Sequence, residues 1–344
     1  MTVICSCVAT LHDESAQIGT ERVSLRLYQT SEGLSIIDRQ SLRGDGVSFT
    51  QVVGIEHAAD LYDFATADPY AQRLERIYSL MHQKYVEAQH QQERSSAVKT
   101  PGAPLEAIYG IAQCRTEGEL LALARTVITA VGGGDFIFQW SRFSADKTGT
   151  FDFLDSRYLV GCRPSWLQQY LAKLWYMNDP VVQYARYNVE PTVTSRIHLH
   201  RTDHWFITQG HDHGLYHGVV APVHTPGNGV VGILYVSAPT PNPEAVIQLW
   251  ENKVLLRALA AELLDWRVAQ SRLKATEQVD LSDSETLALQ TLHSGGGASH
   301  VADRLGLSVH TVYKTIFQRI NHKLGVHRIG DAVAKAERLG LVTY

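Results

Sequence analysis

The sequence predicts an α+β protein built in three parts, and three observations lead there. At 344 residues the chain is longer than one small core can organise. Strand-like alternation and helical periodicity are interleaved through the first 270 residues, whereas 281–344 reads as helix alone. Two polar joints, "HQQERSSAVKTPGAP" (90–104) and residues 274–280, punctuate the chain. The resulting parts are a small α+β extension with its linker over 1–103, a mixed domain over 104–270 and an all-α C-terminal domain over 281–344.

Composition is that of an ordinary globular protein, 44% hydrophobic and 19% charged, with a net charge of −4. Any binding of nucleic acid must therefore come from a local patch. The apolar runs fall short of the roughly 18 residues that span a bilayer. Met1–Leu11 has neither a basic start nor a small-residue cleavage site, so no signal peptide is read and a cytoplasmic location is expected. Cys5, Cys7, Cys114 and Cys162 are too scattered for a zinc site, and free thiols are expected.

In order along the chain, "RVSLRLY" (22–28) alternates as a strand with Val23, Leu25 and Leu27 on one face. Asp68 is a candidate cap with Pro69 at the first helical position. Tyr70, Leu74, Ile77, Tyr78, Met81 and Tyr85 then form one apolar stripe, expected to be core. "EGELLALARTVITAV" (117–131) has the helical period. Gly132–Gly134 read as a helix-to-strand turn, since no helix and no Lys-Ser/Thr pair follow to make a phosphate cradle. "DFIFQW" follows as a strand with Phe136, Phe138 and Trp140 on one face. "WLQQYLAKLWYMNDPVV" (166–182) is a helix running into a turn, with Trp166 and Tyr170 one helical turn apart and a lone carboxylate, Asp179, before Pro180. "GLYHGVVAPVHTPGNGVVGILYVS" (214–237) is two strands joined by a turn at 226–229, and 243–273 reads as one long amphipathic helix.

The last segment carries the strongest signal. Ser282 and Glu285 have capping-box spacing. Ala298–Leu305 is a short helix, Gly306 the tight turn, and Ser308 caps a helix whose Val312, Ile316 and Ile320 face inward. This is a helix-turn-helix. From Arg304 to Gly330 there is no Asp or Glu, while Arg304, Lys314, Arg319, Lys323 and Arg328 are all basic, a phosphate-binding face in an acidic chain.

Here a family resemblance becomes specific. "VADRLGLSVHTV", "INHKLGV" and "AVAKAERLGL" resemble the LuxR-type C-terminal DNA-binding domain. The resemblance implies base reading by Tyr313, Lys314 and Phe317, with Thr311 and Thr315 on phosphates; Lys323 belongs to the same basic run. Family members more often carry basic or polar residues where this chain has Tyr313 and Phe317, whose rings would touch thymine methyls or else pack inward.

The same family's quorum-sensing receptors bind N-acyl homoserine lactones in an α-β-α sandwich, using a Trp, a Tyr four residues on and an Asp-Pro nine beyond. Trp166, Tyr170 and Asp179-Pro180 fall on that spacing, and the two resemblances cover roughly 105–344. They imply an α-β-α sandwich as the ligand-binding domain. They also imply an autoinducer as effector in place of a tightly held cofactor, a homodimer on a palindromic DNA operator, and RNA polymerase or another protein as a further partner. An ionised carboxylate beside an apolar cavity is costly unless a donor meets it, and an acyl amide N–H is such a donor. Trp166 would hold the lactone carbonyl, Tyr170 would add a wall or a hydroxyl, and Phe136, Phe138 and Trp140 would line the tail tunnel. Against this stands a plain alternative, in which the two aromatics are core and Asp179 caps a helix. Two departures imply a reshaped pocket: Thr194 stands where the family has a second Trp, and Tyr235 where it has small hydroxyl residues.

His198, His200, His204, His211, His213 and His217 crowd the same domain. No carboxylate or cysteine completes a recognisable ligand set, so a polar surface is expected and no metal. No nucleophile–base–orienter arrangement is found, and no enzyme is expected. The expected function is a ligand-responsive transcription regulator. Its rivals are a ligand-independent DNA binder plugged by Tyr235 and a regulator controlled by a protein partner through the extension.

Overall fold

The structure, a computed structural model, describes residues 8–30, 33–43, 48–93, 103–142, 156–197, 209–225 and 230–342. Two compact units divide the chain at Leu264/Asp265.

The first unit is organised by one nine-stranded sheet in the order β1-β2-β3-β4-β6-β5-β9-β8-β7. Strands β1 (Val8–Ile18), β2 (Glu21–Thr30), β3 (Ser35–Arg43) and β4 (Ser48–Ile55) form an antiparallel meander. Val23, Leu25 and Leu27 are buried on one face, as their alternation requires. Strands β5 (Phe136–Arg142), β6 (Arg157–Gly161), β7 (Thr192–Val193), β8 (Gly218–His224) and β9 (Val230–Ser237) make the remaining antiparallel part. The two parts are joined by parallel pairing of β4 with β6, Thr50 opposite Arg157 through Val53 opposite Val160. The extension read as a segment of its own over 1–103 therefore continues the sheet of the 104–270 domain.

Helices α1 (Ala58–Ala67) and α2 (Ala71–Glu93) lead back from the meander. Leu74, Ile77, Tyr78, Met81 and Tyr85 of the predicted stripe are buried. Helix α2 opens at Ala71, two residues later than expected from Pro69, and Asp68 does more than hold the turn before it. It receives the Arg39 guanidinium at 2.6 Å and the Tyr78 hydroxyl at 2.6 Å in a buried cluster, while its other oxygen takes the Tyr70 N–H at 2.7 Å. Helix α2 also runs through residues 90–93, which the sequence placed in a linker.

Helices α3 (Pro104–Gly110) and α4 (Glu117–Ala130) follow, and Gly132 turns the chain into β5 at φ +79°. Helices α5 (Pro164–Ala172) and α6 (Pro180–Tyr187) come next. One core runs from Leu25, Ile37 and Val53 of the meander through Phe64 and Met81 to Trp166 and Tyr170 of α5. The extension thus packs into the same core as the helix carrying the sequence-predicted aromatics. The long helix expected over 243–273 is two helices, α7 (Pro243–Glu251) and α8 (Lys253–Gln278), broken at Asn252. The 226–229 turn, Cys5 and Cys7 lie outside the described residues, among which Cys114 and Cys162 are free thiols.

The second unit is helical beyond α8. Helix α9 (Asp283–His293) has the predicted capping box, with Ser282 N–H to Glu285 at 2.8 Å and Glu285 N–H to the Ser282 hydroxyl at 3.3 Å. Helix α10 (Ala298–Leu305) ends at Gly306, φ +64°. Helix α11 covers 309–324, with Val312–Phe317 wound as a π-helix, and α12 is Ile329–Arg338. Val301, Val312, Ile316, Phe317 and Ile320 share its core with Leu289. No helix among the described residues is long and apolar enough to cross a membrane.

Candidate functional site

Local geometry gathers the aromatics and the carboxylate. Pro164 opens α5, so Trp166 and Tyr170 lie one turn apart with ring centroids 6.2 Å apart. Leu174, at φ 55°, ends the run in a left-handed conformation that bulky residues rarely take. The short 3₁₀ turn Trp175–Asn178 then brings Asp179 back beneath Tyr170. There the Tyr170 hydroxyl donates to one carboxylate oxygen at 2.7 Å and the Val181 N–H to the other at 2.7 Å. Asp179 is thus the N-cap of α6, as the plain alternative held, and also a wall of a cavity.

That cavity offers about 100 Å³ to the centres of water-sized molecules, several times the ~10–15 Å³ that one water needs. Two cross-strand rows floor it, Tyr158–Gln139–Ile233 and Ile137–Tyr235. Trp166, Leu167 and Tyr170 of α5, with residues 179–182, cover it. Thr194, Ile197, His211, Leu215, Tyr216 and His217 close one end. Trp166, Tyr170 and Asp179 are only 3%, 4% and 6% exposed. Burial pushes the Asp179 carboxyl up to about 6, against the opposing hydrogen bonds from Tyr170, Val181 and Val182. The expected need for a guest donor is therefore met in part by the protein. Three donors meet a carboxylate that can accept about four hydrogen bonds, which leaves room for one from a guest.

Five of the six sequence-predicted ligand residues, Trp166, Tyr170, Asp179, Thr194 and Tyr235, line this one cavity. Phe138 does not. On β5 the residues facing the cavity are Ile137 and Gln139, so Phe136, Phe138 and Trp140 lie on the opposite face, where the Arg125 guanidinium of α4 stacks over Phe136 at 5.7 Å. Tyr235 lines the cavity without filling it, and its hydroxyl donates to the Tyr216 carbonyl. The Thr194 hydroxyl accepts the Gly218 N–H at 3.1 Å and lies 3.1 Å from His217 Nδ1. Burial, and His211 after it, lower the His217 pKa and favour the neutral ring, which shares one proton with the Thr194 hydroxyl.

His211 and His217 are cavity walls, and the His213 ring lies 5.5 Å from Trp166, which departs from the expected polar surface. His198, His200 and His204 lie outside the described residues, among which no three metal-ligating side chains gather. Sequence reasoning missed Tyr158, Gln139 and Leu215. Tyr158 is the clearest omission, because the alternation in "RYLVG" faces it and Val160 the same way.

In the helical unit the candidate DNA face sorts itself by exposure. Tyr313 is 56% exposed and Lys314 is exposed, whereas Phe317 is 5% exposed and packs edge-on beneath Tyr313 at 5.2 Å. Phe317 is therefore core and not a base reader. The Thr311 hydroxyl lies 2.8 Å from that of Ser308, whose side chain caps α11, and Thr315 is partly exposed. Lys323 also departs from expectation. Its ammonium sits 2.7 Å from Glu285 and donates to the Asp280 carbonyl, so it braces α11 against α9. Burial opposes the Glu285 charge, but Lys323 and Ser282 outweigh it and hold the carboxyl below its ordinary value.

Residues 148–265 match the family described as the autoinducer binding domain. SdiA of Escherichia coli has a similar fold, with a TM-score of 0.51 at 17% identity over 70% of this chain and 98% of that one. SdiA in complex with octanoyl-rac-glycerol gives a TM-score of 0.50 at 14% identity over 70% and 96%. CepR2 of Burkholderia cenocepacia, an N-acylhomoserine lactone dependent LuxR family transcription factor, gives 0.39 at 13% identity over 47% and 92%. No curated protein sequence matches the chain.

Proposed function

We propose that this chain, a LuxR-type regulator by its autoinducer-binding domain at 148–265, is switched by a small amphiphile that enters the cavity between the sheet and helices α5 and α6. One observation carries the reading. A hollow in an apolar core is bordered at one place by an indole, a phenol and a carboxylate, each nearly out of solvent. Those groups hold a polar head, and the Ile137, Ile233 and Leu215 walls receive an acyl tail. An N-acyl homoserine lactone fits, its amide N–H meeting Asp179 and its lactone carbonyl Trp166. Neutral monoacyl compounds fit too, and SdiA is known in complex with one, octanoyl-rac-glycerol.

The output is DNA binding through α11. Lys314 and Arg319 are exposed on it and Tyr313 stands beside them, a set able to meet phosphates, guanines and thymine methyls. A homodimer would set two such helices on a palindrome. Ligand binding to the folded state alone raises its stability, by about 2.7 kcal/mol at a hundredfold excess over Kd.

Extraction and mass spectrometry of protein expressed with N-acyl homoserine lactones or monoacylglycerols in the medium test the reading. One such compound should co-purify at near-stoichiometric amount with wild type and be depleted in Asp179→Asn. Recovery of none of them from wild-type protein would contradict it.

A further inference from the structure

Inside the proposed pocket one polar group is left over. Tyr158 is 3% exposed and floors the cavity, yet its hydroxyl has no hydrogen-bond partner among the described residues. The Ser156 hydroxyl lies close enough to favour the phenolate but outside hydrogen-bonding geometry, and its own partner is the Ser141 hydroxyl at 2.9 Å. The phenol ring is fixed by Phe49 at 5.8 Å and, edge-on, by Tyr170 at 6.3 Å. Across the ladder its partner is Gln139, another polar residue of the floor, whose amide donates to Ser141. A phenylalanine would supply the same wall for an alkyl chain without the desolvation penalty of an unmet donor.

Resting on that pocket reading, we propose that Tyr158 is a specificity-determining residue. Its hydroxyl is a second polar anchor, and the ligand carries a hydroxyl or carbonyl on the part of its body that lies over β6. The head group engages the Trp166–Tyr170–Asp179 cluster, and the chain substituent bonds the Tyr158 hydroxyl beside Gln139. A guest with a plain alkyl chain leaves that hydroxyl unpaired and is disfavoured.

The test is calorimetric titration of full-length wild type and Tyr158→Phe with N-decanoyl homoserine lactone and with isomers bearing one hydroxyl at successive chain positions. At least one isomer should bind wild type about tenfold more tightly than the plain chain, the worth of one well-made buried hydrogen bond. In Tyr158→Phe that preference should fall below about twofold, with the plain chain bound as well or better. Equal preference in both proteins, or no preference for any isomer while the plain chain binds, overturns the proposal and leaves the pocket reading intact. Binding of no compound by either protein defeats the pocket reading and the proposal together. Thermal unfolding without ligand supplies a second readout. The variant should melt at or above the wild-type midpoint, and a clear fall would show that the protein itself satisfies the hydroxyl, which also overturns the proposal.

Discussion

Asp179 caps α6 and borders the cavity in one pose, and its environment makes it a titratable probe of both roles. Its carboxyl is raised to about 6, first by burial, whereas an unfolded aspartate titrates near 3.9. Between those values the folded state holds the proton longer, so stability falls as pH rises from about 4 to about 6 and is level above. Asp135, also raised to about 6 mainly by burial, acts in the same window. Asp179→Asn should therefore flatten, without abolishing, the loss of stability over that window, by a share on the order of 3 kcal/mol. Urea midpoints at half-unit pH steps check this, and an unchanged slope would refute the assignment. The 166–170–179 spacing was legible in the sequence because a helix turn and an Asx-Pro cap are local devices. Phe138 was misplaced because strand alternation shows which residues share a face but not which face meets the ligand. The more hydrophobic face belongs to the packed layer under Arg125, and the cavity uses the face with Gln139.

At the scale of elements, the parallel pairing of β4 with β6 makes the first hundred residues part of the sheet that floors the cavity. Removal of 1–103 would bare a sheet edge and uncover Trp166 and its neighbours. Such a truncation should be insoluble or aggregated on gel filtration. A soluble product with native-like circular dichroism and undiminished ligand response would show that the extension is independent. Within the extension, Asp68→Ala strands the buried Arg39 guanidinium, 2.6 Å from its partner, and should cost about 3–5 kcal/mol in denaturant unfolding. Reading β2 and the α2 stripe from sequence succeeded through their periods of 2 and 3.6. The β4–β6 contact was not legible, since it joins residues about a hundred positions apart with no turn chemistry to announce it.

At the scale of the whole molecule, the proposed function assigns the ligand to one unit and DNA reading to the other, where Lys314 and Arg319 of α11 are exposed. Lys314→Ala or Arg319→Ala should weaken operator binding by about tenfold and reduce its salt dependence by about one phosphate contact each. Mobility shifts at several salt concentrations measure both. Lys323→Ala should instead lower stability by about 1–2 kcal/mol through loss of its bond to Glu285, with little effect on the salt slope. The measurement that bears most directly on the central claim is equilibrium unfolding of the full chain in urea, with and without saturating N-acyl homoserine lactones of graded chain length and octanoyl glycerol. At least one of these compounds should raise the unfolding free energy by about 2.7 kcal/mol at a hundredfold excess over Kd, and the gain should shrink in Asp179→Asn. Midpoints that do not move for any member of either series would contradict the account.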